Sequence, residues 1–140
     1  MDVLLVDDDD DVRNAYRRTL EHAGFSVTGV DNGLAAIAEL YQEGKVGVIL
    51  CDQRMPFLDG NRFYDELTTA LPVVARRMIF VTGVDDRTML RKLGQTGQPV
   101  LRKPVERADL LSAVRTMVNR HDDGPDSSRC QAYGRISTAS

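Results

Sequence analysis

The 140-residue chain has only two cysteines, Cys51 and Cys130, far apart in the sequence. That number and spacing suit neither a disulfide framework nor a zinc cage. Its two histidines, His22 and His121, belong to no motif and read as polar surface residues. No stretch approaches the roughly 18 consecutive apolar residues of a membrane helix. Met1 leads almost at once into an apolar run with no basic region before it, so a secretory leader is not expected. Nor is positive charge in excess. The 21 acidic and 18 basic side chains leave a net charge of −3. That balance argues against nucleic acid or an anionic membrane as a partner held by bulk charge. A reducing cytoplasm is the expected compartment.

What is present is ordinary for a globular chain: 42% hydrophobic and 28% charged residues. The length suits one domain, which buries roughly two thirds of the surface its unfolded chain exposes. Five apolar runs punctuate it: Val3–Val6, Phe25–Val30, Val46–Cys51, Met78–Val81 and Val100-Leu101. The first, third and fourth are near-continuous in Val, Ile and Leu, as strands covered on both faces read. Helical spacing fills the gaps. Val12, Ala15, Tyr16, Thr19, Leu20 and Ala23 form one stripe, stopped by Gly24. Leu34, Ile37, Ala38 and Tyr41 form a second, and Phe63, Leu67, Ala70 and Leu71 a third that ends before Pro72. A last helix begins near Arg107, with Leu110, Val114, Met117 and Val118 on one face. Between Asp85 and Gly97 only Met89, Leu90 and Leu93 mark a stripe, so the helix there, from Asp86 to Gln95, is expected to be the least firmly packed.

Five β-α repeats imply an α/β fold: a doubly wound parallel sheet with helices on both faces. The domain is expected over residues 1–120. Residues 121–140 lack apolar periodicity and read as a disordered polar tail.

The chemistry gathers at strand ends. The first strand runs into Asp7-Asp8-Asp9-Asp10-Asp11, and the third into Cys51-Asp52-Gln53-Arg54-Met55-Pro56. In a sheet ordered 2-1-3-4-5 these ends are neighbours, and Asp7, Asp8 and Asp52 converge. Carboxylates so gathered repel by on the order of 4 kcal/mol per pair at 4 Å and an effective dielectric near 20. A hard divalent cation such as Mg²⁺ relieves that repulsion, and a carboxylate beside it can act as a nucleophile toward phosphorus. Each residue also has a plainer explanation. Asp9, Asp10 and Asp11 suit a helix start; Asp52 suits a turn. Two more strand ends, Val81-Thr82-Gly83 and Arg102-Lys103-Pro104, add a hydroxyl and an ammonium, both able to hold a phosphoryl group.

With these residues in place the chain resembles the response-regulator receiver domains of two-component and phosphorelay signalling, over about residues 2–119. The carriers are Val6-Asp7-Asp8, Leu50 to Pro56 with Asp59-Gly60, Val81-Thr82-Gly83 and Lys103-Pro104. The resemblance implies a flavodoxin-like sandwich with a cis Lys103-Pro104 bond. It implies Asp52 as phosphoacceptor. Asp7, Asp8, Asp52 and the backbone carbonyl of Arg54 would hold Mg²⁺, and Thr82 and Lys103 would bind the phosphoryl group. It implies a sensor histidine kinase or histidine phosphotransfer protein as donor, and a downstream protein as target. Family members often pair the threonine with an aromatic switch residue three positions before the lysine. Here Val100 stands there, which cannot swing as a ring does. The stretch from Gln98 to Pro104 is closer to the receivers of hybrid sensor kinases.

The expected function is therefore a regulatory phosphoacceptor module rather than an enzyme, stand-alone or excised from a longer protein. The alternatives are a degenerate receiver that binds partners without phosphorylation, and a Mg²⁺-dependent aspartyl phosphatase. The latter class usually carries a second Asp two residues after its nucleophile, where this chain has Arg54.

Overall fold

The three richest apolar runs can bury themselves fully only in the middle of a sheet covered on both sides, and that is where they lie. A computed structural model describes residues 1–120 apart from 84 and 86. Its elements are β1 (Val3–Val6), α1 (Asp10–His22), β2 (Val27–Val30), α2 (Gly33–Glu43), β3 (Val48–Asp52), α3 (Gly60–Ala70), α4 (Pro72–Ala75), β4 (Met78–Thr82), α5 (Arg87–Gln95), β5 (Val100–Arg102) and α6 (Arg107–Val118). The five strands form one sheet in the order β2-β1-β3-β4-β5, with every pairing parallel. Every residue of the central strands β1, β3 and β4 is buried, whereas β2 at one edge is only half-buried. The expected tail, with Cys130 and His121, lies outside the described residues.

Successive strand residues point to opposite faces, so the sheet divides the core. Leu4 and Val6 join Ile49, Cys51 and Phe80 on the face covered by α2, α3, α4 and α5. Val3 and Leu5 join Leu50, Ile79 and Val81 on the face covered by α1 and α6. Helix starts are set by side chains that accept otherwise unpartnered backbone N–H groups. Asp9 accepts from Asp11 and Val12, Asn32 from Ala35, and Asp59 from Arg62.

The boundaries depart from the sequence reading where a backbone group is used elsewhere. β2 starts at Val27, not Phe25, because the Phe25 N–H closes α1 by donating to Leu20 O, 3.1 Å away. Gly24, at φ +98°, makes that turn possible. β3 starts at Val48, not Val46, since the Gly47 N–H turns to the carbonyl of Asp2 at 3.1 Å. β3 and β4 each run one residue further than expected, so Asp52 and Thr82 are strand residues. α4 was not expected: Pro72, lacking an N–H, ends α3 but fits the first turn of a new helix. α5 begins at Arg87, and the expected start, Asp86, is not described.

Arg77 anchors the end of the sheet away from the acidic strand ends. It is buried, and its guanidinium donates to Met117 O at 2.7 Å and Arg120 O at 2.8 Å. A cation there suits the negative end of the α6 dipole. No helix among the described residues is long and apolar enough to cross a membrane.

Candidate functional site: an acidic pocket at the carboxyl ends of the strands

Parallel register brings the polar strand ends side by side. Val6 pairs with Cys51, Asp52 with Val81, and Thr82 with Arg102. Asp7 follows β1, Asp52 and Thr82 end β3 and β4, and Lys103 follows β5. Carboxylate oxygens of Asp7, Asp8 and Asp52 lie within 4.8 Å of one another. Asp7 and Asp52 are buried, at 1% and 7% exposure, while Asp8 is open to solvent.

Asp7 is fixed on both oxygens. Oδ1 accepts the Asp9 N–H at 2.9 Å, and Oδ2 lies 3.4 Å from Lys103 Nζ. The same ammonium is 3.3 Å from Asp52 Oδ1. One cation therefore serves two buried carboxylates. Burial, first, and then the charge of Asp7 push the Asp52 carboxyl above its ordinary pKa, against the pull of Lys103. For Lys103 burial works the other way, but the charges of Asp52 and Asp7 outweigh it and hold the ammonium above its ordinary value. Cys51, next to Asp52, is fully buried. Burial pushes its thiol pKa well up, as does adjacent Asp52, and Sγ donates to Asp52 O at 3.3 Å.

The expected site residues Asp7, Asp8, Asp52 and Lys103 come together here. Thr82 is buried at the end of β4, and its carbonyl accepts the Lys103 N–H at 2.8 Å. Lys103-Pro104 is cis. Arg54 is exposed and lines a cleft of about 500 Å³ beside the pocket, with Asp8, Gln53, Met55, Pro56, Asp59 and Met89. Val100 sits two residues back from the strand end, opposite Phe80, packed on the core. Asp9 and Asp10 take the helix-start roles: Asp9 caps α1, and Asp10 pairs with Arg13 at 2.6 Å. Among the described residues, a Cβ at Gly83 would come no closer than 3.9 Å to Lys103, an ordinary contact.

Three residues at the pocket escaped the sequence reading. Arg13 donates to Asp7 O at 2.7 Å and so fixes the strand end. Tyr16, read only as part of a helical stripe, lies within electrostatic reach of Lys103, Asp7 and Asp52; burial is the chief reason its phenol pKa is raised. Gln53 is buried next to Asp52. Helical spacing marked Tyr16 as inward-facing; Gln53 was read only as one residue of the run that carries the resemblance, and nothing in the sequence marked Arg13.

Phe57, in the loop between β3 and α3, has φ 72° and is 86% exposed. Leu58 N–H donates to Pro56 O at 2.8 Å across it, a three-residue turn that strains a side-chain-bearing residue. Phe57→Gly is expected to raise stability. Relief of about 1–2 kcal/mol of backbone strain exceeds the roughly 0.5–1 kcal/mol that glycine adds to unfolded-chain entropy. Phe57→Ala keeps the strain, so parallel thermal melts of the two variants should separate, with only the glycine variant melting above the native chain.

Comparison with known proteins places this arrangement. The model of the response regulator receiver domain matches residues 3–115, so the chain belongs to that family, the regulatory receiver domains of two-component systems. It is 32% identical over 117 residues to the response regulator receiver protein CpdR of Brucella abortus, covering 83% of this chain and 95% of that one. It is 30% identical over 131 residues to the transcriptional regulatory protein CseB of Streptomyces avermitilis, covering 89% of this chain but only 53% of CseB. The chain thus spans about half the length of that relative. Among solved structures, a response regulator receiver domain protein from Clostridium thermocellum superposes with a TM-score of 0.76 at 26% identity, covering 85% of this chain and 94% of that one.

Proposed function

We propose that Asp52 accepts a phosphoryl group from a phosphohistidine on a sensor histidine kinase or histidine phosphotransfer protein, and that the modified domain changes its binding to a downstream protein or passes the group on. The supporting observation is the convergence of three carboxylates within 4.8 Å, two of them sharing Lys103. The donor set is all oxygen, which fits Mg²⁺, an ion usually held by few carboxylates plus water and phosphate oxygens. Asp7, Asp8, Asp52 and the Arg54 backbone carbonyl would hold it. When bound, the ion supplies charge neutralisation for the phosphoryl oxygens.

The remaining work falls to the chain itself. An Asp52 carboxylate oxygen attacks phosphorus in line with the donor nitrogen. As the O–P bond forms the N–P bond breaks, and its electron pair stays on the imidazole, which leaves neutral with a proton on its other nitrogen. Positioning and charge matter more here than acid–base help. Lys103 Nζ already lies 3.3 Å from Asp52 and can follow the charge onto the phosphoryl oxygens. Thr82, at the neighbouring strand end, offers a hydroxyl donor. The product adds about −1.5 to −2 charge to the pocket.

The test is intact mass after incubation with acetyl phosphate and Mg²⁺, beside Asp52→Asn. The native chain should gain one phosphoryl adduct, prevented by prior EDTA, and the variant none. A folded native chain that gains no adduct would overturn the reading and leave a module that binds partners without phosphorylation.

A further inference from the structure

Gln53 is polar, 3% exposed, and adjacent to Asp52. Both ends of its amide are engaged, by different helices. Oε1 accepts the Asn61 N–H of α3 at 2.8 Å. Nε2 donates to Met89 Sδ of α5 at 3.2 Å. Its backbone is held as well: the N–H donates to Val81 O of β4 at 3.3 Å, and its carbonyl accepts the Gly60 N–H at 2.9 Å. One residue thus joins the strand that ends in Asp52 to β4, α3 and α5.

The two ends of that amide are unequal. A backbone N–H to an amide oxygen is an ordinary hydrogen bond. A thioether sulfur is a weak acceptor, readily exchanged for an anionic oxygen or water. Gln53 and Met89 both line the cleft beside the acidic pocket, so their contact lies next to whatever fills it.

α5 is built to respond. Its only fully buried residue is Leu93, with Met89 packed on the core one turn earlier. Beyond the far end of the helix the chain is well tied. Tyr64 Oη donates to Thr96 O at 3.3 Å, and Gln98 Nε2 donates to Arg76 O and Met78 O at 2.9 Å each. The end nearer the pocket is held by Gln53 through Met89, with the exposed Asp85–Arg102 ion pair at 2.7 Å just ahead of the helix.

We infer that Gln53 is a positioning residue that couples the state of Asp52 to the seating of α5 through its contact with Met89. When a phosphoryl group occupies the pocket, the Gln53 amide exchanges the sulfur for the new oxygen or its water, and the near end of α5 is released from the β3–α3 loop. This rests on the reading of Asp52 as the acceptor, and the test separates the two.

The experiment records backbone amide spectra of the full chain with and without beryllium fluoride and Mg²⁺, a non-covalent phosphoryl mimic, alongside adduct formation from acetyl phosphate. Met89→Leu keeps the apolar contact but removes the acceptor; Met89→Gln replaces the sulfur with a stronger one. Met89→Leu should take the adduct at the native rate, while the mimic shifts its α5 equilibrium about fivefold less than in the native chain. Met89→Gln, whose oxygen is harder to displace, should hold α5 in place and also blunt the response to the mimic. A merely structural role would change stability but not this response, and unaltered β1, β3 and β4 amides would verify the fold. Loss of the adduct in the native chain would defeat the reading of Asp52. A normal adduct with an undiminished α5 response in Met89→Leu, or no α5 response in the native chain, would defeat the coupling alone.

Discussion

Lys103→Met is expected to destabilise the domain at neutral pH by on the order of 2 kcal/mol, between the small cost of an exposed ion pair and that of a fully buried one. The ammonium lies 3.4 and 3.3 Å from two buried carboxylates, and removing it leaves Asp7 and Asp52 facing each other. The pH dependence follows from the sign of each shift. Lys103 is held above 10.5 in the folded state, so its contribution is complete below that pH and is lost only as pH climbs through the folded value. Asp52 is raised above 3.8, so its ionisation costs stability. The cost is absent below that pH and grows as pH climbs through the folded value. Without Lys103, Asp52 rises further and the cost is larger. The variant should therefore match the native chain in acid and fall behind it toward neutrality. Added Mg²⁺ should recover part of the loss. Asp52→Asn is the mirror image: more stable than the native chain at neutral pH, with the advantage fading in acid. Urea unfolding across pH checks both, and a deficit in Lys103→Met that ignores pH would reject the electrostatic account.

Gly60→Ala should be the most damaging small substitution at the site. A Cβ there would stand 2.8 Å from Asp52 O, 3.0 Å from Gln53 Oε1 and 3.1 Å from Gln53 Cα. Two of these are backbone atoms of the strand end itself, so either β3 or the start of α3 must shift. Overpacking of this kind costs about 1–3 kcal/mol. The shift also carries Asp52 with it, and small misplacements of a reacting group lower rates by on the order of tenfold or more. Gly94 offers the control. It lies within α5, and among the described residues nothing would come within 4 Å of an added Cβ, so Gly94→Ala should stabilise by about 0.5–1 kcal/mol. Thermal melts and acetyl phosphate labelling of the pair should give opposite signs in stability and a labelling defect only at Gly60. Equal behaviour of the two would show that the close approach at Gly60 is not limiting.

The sheet was legible because burial on both faces leaves a composition: β1 is all Val and Leu, β3 opens Val-Ile-Leu-Cys, and β4 opens Met-Ile-Phe-Val, apolar runs without the helical gaps of the other elements. The convergence of Asp7, Asp8 and Asp52 followed from strand order, since side chains at adjacent carboxyl ends meet whatever lies between them in sequence; Lys103, one strand further off, reaches them across the end of β4. What stayed hidden depends on partners rather than patterns. Gln53 has no periodicity of its own; its role appears only once Asn61 and Met89 are brought to it. Arg13 looks like any exposed helical arginine until its guanidinium is seen on the Asp7 carbonyl. The strain at Phe57 is a backbone angle, and a phenylalanine in a loop does not announce it. α4 is a single turn, too short for spacing to register.

The division of the core by the sheet has a consequence for how the sequence can vary. Leu4 and Leu5 are chain neighbours yet have separate sets of packing partners. Substitutions under α1 and α6 therefore draw on different neighbours from those under α2, α3 and α5, and pairs more than about 7–10 Å apart across the sheet should add in free energy. The β-sheet keeps the side chains of one half of the interior out of contact with those of the other. The half that seats α5 is tied to the acidic pocket through Gln53 and Met89, while the half beneath α6 meets that pocket only from the α1 side, through Tyr16.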